Sequence, residues 1–178
     1  MANTKNRKRQ SRPTNGATNG PVRLDETDCA IVELLQSNGR MTNTELAKRV
    51  GVSPPSTLER VRKLERRGVI RGYAALVSPE AVNKATTALV SVTLRDHGRI
   101  PLQRVREQMA ALDEVQACWH IAGEEDFLLK VVVTDMHAYQ EFVTNKLSDI
   151  KAIGRIKTAF VLSTWKDQTL VPLDAAAG

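Results

Sequence analysis

Positions 53 to 67 read SPPSTLERVRKLERR and gather five cations and three hydroxyls in one short run. Ammonium and guanidinium groups pair with phosphates, and the arginine fork also matches the two acceptors of guanine. Serine and threonine hydroxyls serve either donor or acceptor base edges. This chemistry needs an element that shows these groups together. Leu58, Val61 and Leu64 recur at helical spacing and predict a buried stripe. Ser56, Thr57, Arg60, Lys63 and Arg67 then face outward, flanked by Arg62 and Arg66. Ser53 sits as the N-cap, Pro54 occupies the first helical position, where its missing N–H costs nothing, and Gly68 supplies the stop.

Two helices must come before it to hold that face in place. LDETDCAIVELLQSNG has Asp25 as cap, acids in its first turn, and apolar Cys29, Ile31, Val32, Leu34 and Leu35. TNTELAKRVG follows, capped by Thr42 or Asn43 and ended by Gly51. Three helices in this order, with short glycine turns and an extended wing after them, make a helix-turn-helix. Its second motif helix enters the major groove with its N-terminal half. Ser56, Thr57 and Arg60 are then the expected base readers, and Arg62, Lys63 and Arg67 the phosphate contacts. Thr42, Asn43 and Ser53 border the same surface. Read alone, a basic helix face is more often simply solvated, and Glu59 and Glu65 dilute this one.

Beyond residue 82 the period changes. TTALVSVTL alternates, with Ala88, Val90, Val92 and Leu94 on one side. Pro101 opens a helix carrying Leu102, Val105, Met109 and Leu112. Strands VQACWHIAG and DFLLKVVVT follow, then a helix capped by Asp135, then the strand GRIKTAFVLSTW. The order is the split β-α-β-β-α-β pattern of ferredoxin-like domains, so the fold class is α+β. One sheet face lies under two helices. The other carries Ala159 and Val161 and predicts contact with another subunit.

Charge is unevenly spread. Residues 1–23 hold six cations and no acid, whereas residues 73–178 hold eleven cations and thirteen acids. The expected organisation is a disordered basic tail over 1–22, a DNA-binding domain over 23–72, a linker strand over 73–82, an oligomerisation domain over 83–173, and a disordered end over 174–178. The tail reads as either a passive extension or an arm on phosphates. No secretory signal or membrane span is evident, and a cytosolic protein is expected. Cys29 and Cys118 read as buried free thiols.

Together these stretches resemble the Lrp/AsnC (feast/famine) family of transcriptional regulators. The resemblance rests on LDETDCAIVELLQSNGRMTNTELAKRVGVSPPSTLERVRKLERRGVIRGYAALV, AGEEDFLLKVVVTDMHAY and RIKTAFVLSTWK, and covers about residues 23–173. It implies double-stranded operator DNA as a partner, an amino acid effector, and a homodimer that assembles further, often to an octamer. It also makes 73–82 a hinge and 83–173 a ligand-sensing domain, and implies an effector site near the GEED loop, between dimers. Gly123, Glu124 and Asp126 match the family's loop, while Met136, Thr158, Ala159 and Phe160 correspond to lining positions. Read alone, GEED is a tight solvent-facing turn. Ala122 and Glu125 depart from the family's usual hydroxyl and aromatic residues, so the effector is expected to be polar or basic, or the site unused.

An enzyme is not indicated. His97, His120 and His137 are scattered, no nucleophile elbow, zincin, P-loop or dinucleotide fingerprint occurs, and no cofactor or metal is expected. The competing reading is a standalone amino-acid-binding oligomer without specific DNA readout.

Overall fold

The computed structural model describes residues 22–95 and 102–173. The tail through residue 21, residues 96–101 with His97 and Pro101, and residues 174–178 lie outside this description. Two compact units form. One ends at Ala74 and takes in the returning chain from Gln168, and the other spans Ala75–Asp167.

The first unit holds α1 (Glu26–Ser37), α2 (Asn43–Val50) and α3 (Pro54–Arg66). Local chemistry sets their starts. An Asp25 oxygen accepts from the Asp28 amide at 2.7 Å, and the Thr42 hydroxyl from the Glu45 amide at 3.2 Å. Gly51 ends α2 in the left-handed region at φ 69°, which a side chain would strain. Ser53 stands at the N-cap of α3, but its side chain makes no capping bond. Pro54 and Pro55 have removed the amides of the first two helical positions. Ile31, Val32, Leu46 and Leu64 form the core, joined by Leu24, Leu35, Val50, Val61 and, from the chain's far end, Leu173. Where the wing is expected after α3, the chain joins no strand ladder among the described residues.

In the second unit, β1 (Thr86–Leu94), α4 (Leu102–Ala110), β2 (Val115–His120), β3 (Phe127–Val133), α5 (Met136–Phe142) and β4 (Ile153–Phe160) build an antiparallel sheet ordered β2-β3-β1-β4. Alternation does the sorting. Ala88, Val90, Val92 and Leu94 are buried with Phe127, Leu129, Val131 and Val133, against Val105, Met109, Tyr139 and Phe142. Burying a Phe or Leu side chain of this kind contributes about 1.5–3 kcal/mol. A π-helical turn, Val143–Leu147, prolongs α5 and buries Leu147. The opposite sheet face leaves Leu89, Trp119 and Val161 partly exposed. Strand β4 ends earlier than its alternation suggests. Val161 still donates to Thr87 at 3.0 Å, but Leu162 and Trp165 beyond it are fully in solvent. Cys29 is buried and Cys118 half-buried, the burial raising the Cys118 thiol's pKa. Among the described residues no helix is long and apolar enough to cross a membrane.

Candidate DNA-binding and effector sites

The face that α3 presents is rotated from the one its leucines suggest. Thr57 is fully buried, and its hydroxyl donates to the Ser53 carbonyl at 3.0 Å, so it is not a base reader. A threonine can be buried this way because its own helix satisfies the hydroxyl. Leu58 is instead 38% exposed and borders a shallow hollow with Leu35, Met41, Val61 and Tyr73. The buried stripe is therefore Thr57, Val61 and Leu64. The outer face carries Ser56, Glu59, Arg62, Lys63 and Arg66, with Arg67 at the C-cap. With both prolines ahead of it, Ser56 provides the one amide left in the first turn.

Arg60 also departs from expectation. Its Nη1 donates to Asp25 at 2.6 Å and to Asp28 at 2.7 Å, across 35 and 32 residues of sequence. The Asp28 side chain is only 4% exposed. This guanidinium ties α3 to the start of α1 while its side chain stays 32% exposed, and Nη1 is taken up by the two carboxylates. The Arg60 hydrogen bond, helped by the Asp28 amide, holds the Asp25 carboxyl below the ordinary aspartate range. The Asp25 and Asp28 bonds raise the Arg60 pKa in turn.

Arg66 was not among the expected contacts. Counting outward from Leu64 alone, instead of from Leu58, places it beside Arg62. It pairs with Glu59 at 2.8 Å, and both side chains are more than 60% exposed. A bond so exposed exchanges easily for a phosphate. Asn43 donates from Nδ2 to the Pro54 carbonyl at 2.8 Å, joining the first turns of α2 and α3. Thr42 is exposed at the same end, its hydroxyl engaged as a cap.

The loop joining β2 to β3 is held by its own acids. Asp126 accepts from the Leu94 amide at 2.8 Å, while its amide donates to Val92 at 2.9 Å. Asp126 thus pins the loop to β1 and is half-buried. Glu125 accepts from Lys157 of β4 at 2.8 Å, and this bond keeps its pKa below the ordinary range. Gly123 adopts φ 150°, and a Cβ at this position meets nothing within 4 Å, so its need for glycine is purely conformational. Glu124 is exposed.

The residues matched to a lining do not gather at that loop within one chain. Phe127 begins β3 beside the loop, and Val133 ends it just before Met136. Phe160 pairs with Ala88, toward that far end. Six residue steps of β3 span roughly 20 Å. Thr158 shares a short hydrogen bond with the Tyr139 hydroxyl, and Phe160 packs edge-on against the same ring at 4.9 Å. Both point toward the helices. Ala159 lies on the opposite sheet face, and Met136 is 57% exposed.

Residues 24–71 match the winged helix-turn-helix DNA-binding family, and residues 87–171 the Lrp/AsnC ligand binding domain. The chain is 38% identical over 152 residues to the leucine-responsive regulatory protein of Rhizobium meliloti, covering 85% of this chain and 97% of that one. It is 37% identical over 150 residues to the Bkd operon transcriptional regulator of Pseudomonas aeruginosa, covering 84% and 98%. Among solved structures, a Neisseria meningitidis transcriptional regulator in complex with L-Met is similar at a TM-score of 0.79 and 38% identity, covering 85% of this chain and 98% of that one. An AsnC family regulator from Agrobacterium tumefaciens matches at 0.80 and 34%, covering 86% and 99%. Fold, helix-turn-helix and sensing unit agree with these relatives along nearly their whole length, and the chain belongs to the Lrp/AsnC family of transcriptional regulators.

Proposed function

We propose that the protein binds operator DNA as a homodimer or a higher assembly, and that an α-amino acid held between copies tunes that binding. Ser56, Arg62, Lys63, Arg66 and Arg67 face the DNA, the arginines and lysine neutralising phosphates, with Thr42 at the border. A dimer sets two α3 helices about 34 Å apart, or a multiple of it, on a pseudo-palindrome. The half-exposed sheet face with Leu89, Trp119 and Val161 supports pairing of copies.

The observation that carries the effector reading is the separation along β3. Gly123 and Glu124 stand at one end and Met136 at the other, so a single small molecule meets both only where two copies bring opposite ends together. The backbone at Gly123 and the Glu124 carboxylate suit the two charged ends of an amino acid. Met136 and Ala159 provide apolar contact for its side chain. The Neisseria relative's complex with L-Met supports the ligand class. Bound between copies, the ligand shifts assembly by as much as its affinities for the two states differ.

Light-scattering molar mass, measured across the amino acids with L-Met first, tests this together with affinity for a selected operator. A mass or an affinity that moves with one amino acid is the expected result. Constancy of both across the panel refutes the effector reading.

A further inference from the structure

Within the second unit, a hollow of about 210 Å³ opens where β3 ends, with Val133, Ala138 and Phe142 as its apolar side. Glu114, just ahead of β2, lines it from a fixed backbone, its carbonyl accepting from the Val132 amide at 2.9 Å. The Glu114 side chain is only 19% exposed. Its Oε1 accepts from Lys146, whereas its Oε2 is buried and has no hydrogen-bond partner among the described residues. Burial pushes this carboxyl up, but the Lys146 hydrogen bond outweighs that and holds it below the ordinary glutamate value. Glu114 is therefore ionised, and its Oε2 can only accept. A buried acceptor without a donor is unfavourable. The turn that carries Asn145 and Lys146 to the hollow is the π-helical one, Val143–Leu147, closed by the Ser148 amide on the Val143 carbonyl at 3.0 Å. Turns of this kind recur at functional sites.

We propose that this hollow binds a small molecule carrying a primary ammonium group on a short apolar body, with Glu114 Oε2 as its anchor. What Oε2 lacks is a donor, and an ammonium supplies one with a matching charge. Glu141 and Asn145 at the rim offer acceptors for its remaining protons. The apolar body lies along Val133, Ala138 and Phe142. Two carboxylates in the lining disfavour a simple anion, and Lys84 with Lys146 disfavours a bare divalent cation. The volume exceeds the share of a single water, about 30 Å³, and falls short of the ~300–1,000 Å³ typical of larger ligands, so the guest has few heavy atoms. Such an ammonium comes from a free amine or from an amino acid, whose carboxylate Lys84 then faces. The site is complete within one copy and depends neither on the GEED loop nor on assembly. A guest here bridges α5 to the chain just ahead of β1 and β2 and stabilises the second unit by mass action.

Calorimetric titration of the full chain with n-butylammonium, butyrate and L-norvaline tests it. These probes share a short apolar body and carry an ammonium alone, a carboxylate alone, or both. Heat belongs to the hollow when it is lost in Glu114→Gln and kept in Glu124→Ala, which separates it from the effector reading at the GEED loop. Glutamine still accepts from Lys146 but withdraws the charge, and it is expected to weaken binding by about tenfold or more. Ala138→Leu keeps every charge, suits the helix and fills the hollow, and a loss of about tenfold or more is expected there too. Thermal melts without ligand check that both variants fold. Binding of n-butylammonium under this rule assigns the site to free amines. Binding of L-norvaline alone assigns it to amino acids, and butyrate is expected to give no heat. Absence of Glu114-dependent heat from both ammonium probes overturns the proposal. So does butyrate binding as tightly as they do, or binding that survives unchanged in a folded Ala138→Leu protein.

Discussion

Arg60→Ala is expected to destabilise the DNA-binding unit rather than relax its sequence preference. Arg60 places one nitrogen between Asp25 and Asp28, and removing it leaves the Asp28 carboxylate in a site only 4% exposed. Removing one partner of a fully buried pair costs about 3–5 kcal/mol. The Arg60 side chain is 32% exposed and Asp25 53%, so water reaches part of this cluster. A loss of about 2–3 kcal/mol is the corresponding expectation. For a unit of this size that lowers the melting temperature by roughly 10–20 °C. Both tryptophans, Trp119 and Trp165, lie in the second unit. The assay is therefore far-ultraviolet circular dichroism, with amide exchange of α1 and α3 as the local reporter. Replacing Arg60 and Asp28 together by leucine recovers most of the loss, because no charge is left stranded. The acid limb gives an independent check. Asp25 has a folded pKa below its ordinary 3.8, so its contribution is present above that value and disappears as pH falls through the folded pKa. Arg60→Ala flattens that part of the profile. An Arg60→Ala protein that melts like the wild type, yet no longer distinguishes its operator from random DNA, refutes the clamp and restores Arg60 as a base reader.

Arg62→Ala and Lys63→Ala leave melting unchanged, and each lowers the slope of log affinity against log salt by about 0.9 if it meets a phosphate; fluorescence anisotropy over a salt series measures this. Gly123→Ala destabilises the second unit by about 1–3 kcal/mol, since φ 150° is glycine territory, and thermal melts read the loss. Lys157→Ala raises the Glu125 pKa back toward 4.5, seen by carboxyl NMR titration. In the wild type this contribution is present above 4.5 and fades as pH falls through the depressed folded value, and the variant loses that dependence.

What the sequence made legible was local. Asp25, Thr42 and Asp135 each cap the helix that their spacing predicts, because the accepting oxygen and the amide three residues on are neighbours in the chain. The alternation of β1 was likewise enough to place Ala88, Val90, Val92 and Leu94 inward. What escaped depended on distant partners or on competing side chains. Leu58 drew the apolar stripe to itself, yet Thr57 satisfies its hydroxyl internally and can take the buried place. Arg60 has the spacing of any solvated helix cation, and only the fold brings Asp28, far away in the chain, beside it. Asp28 itself read only as a first-turn acid favourable to the helix dipole. Motif matching grouped Gly123, Met136 and Phe160, but such a match carries no distances. Strand direction alone puts them at opposite ends of the sheet.

The commitments inside the GEED loop bear on how sensing can work. Asp126 holds the loop to β1 and Glu125 holds it to β4, so two of the three acids are engaged in fixing its shape. Glu124 is the acid left facing outward, and on the proposed reading it is the natural partner for an incoming ammonium. A loop fixed in this way loses little freedom on binding. It also cannot signal by folding around its ligand. On the proposed reading the response then comes from whatever supplies the opposite wall, which that reading assigns to another copy. Sensing on these terms is a property of the assembly. An amino acid that binds Glu124 in an isolated copy, without a second copy's Met136 against it, has no differential affinity to offer and leaves DNA binding where it was.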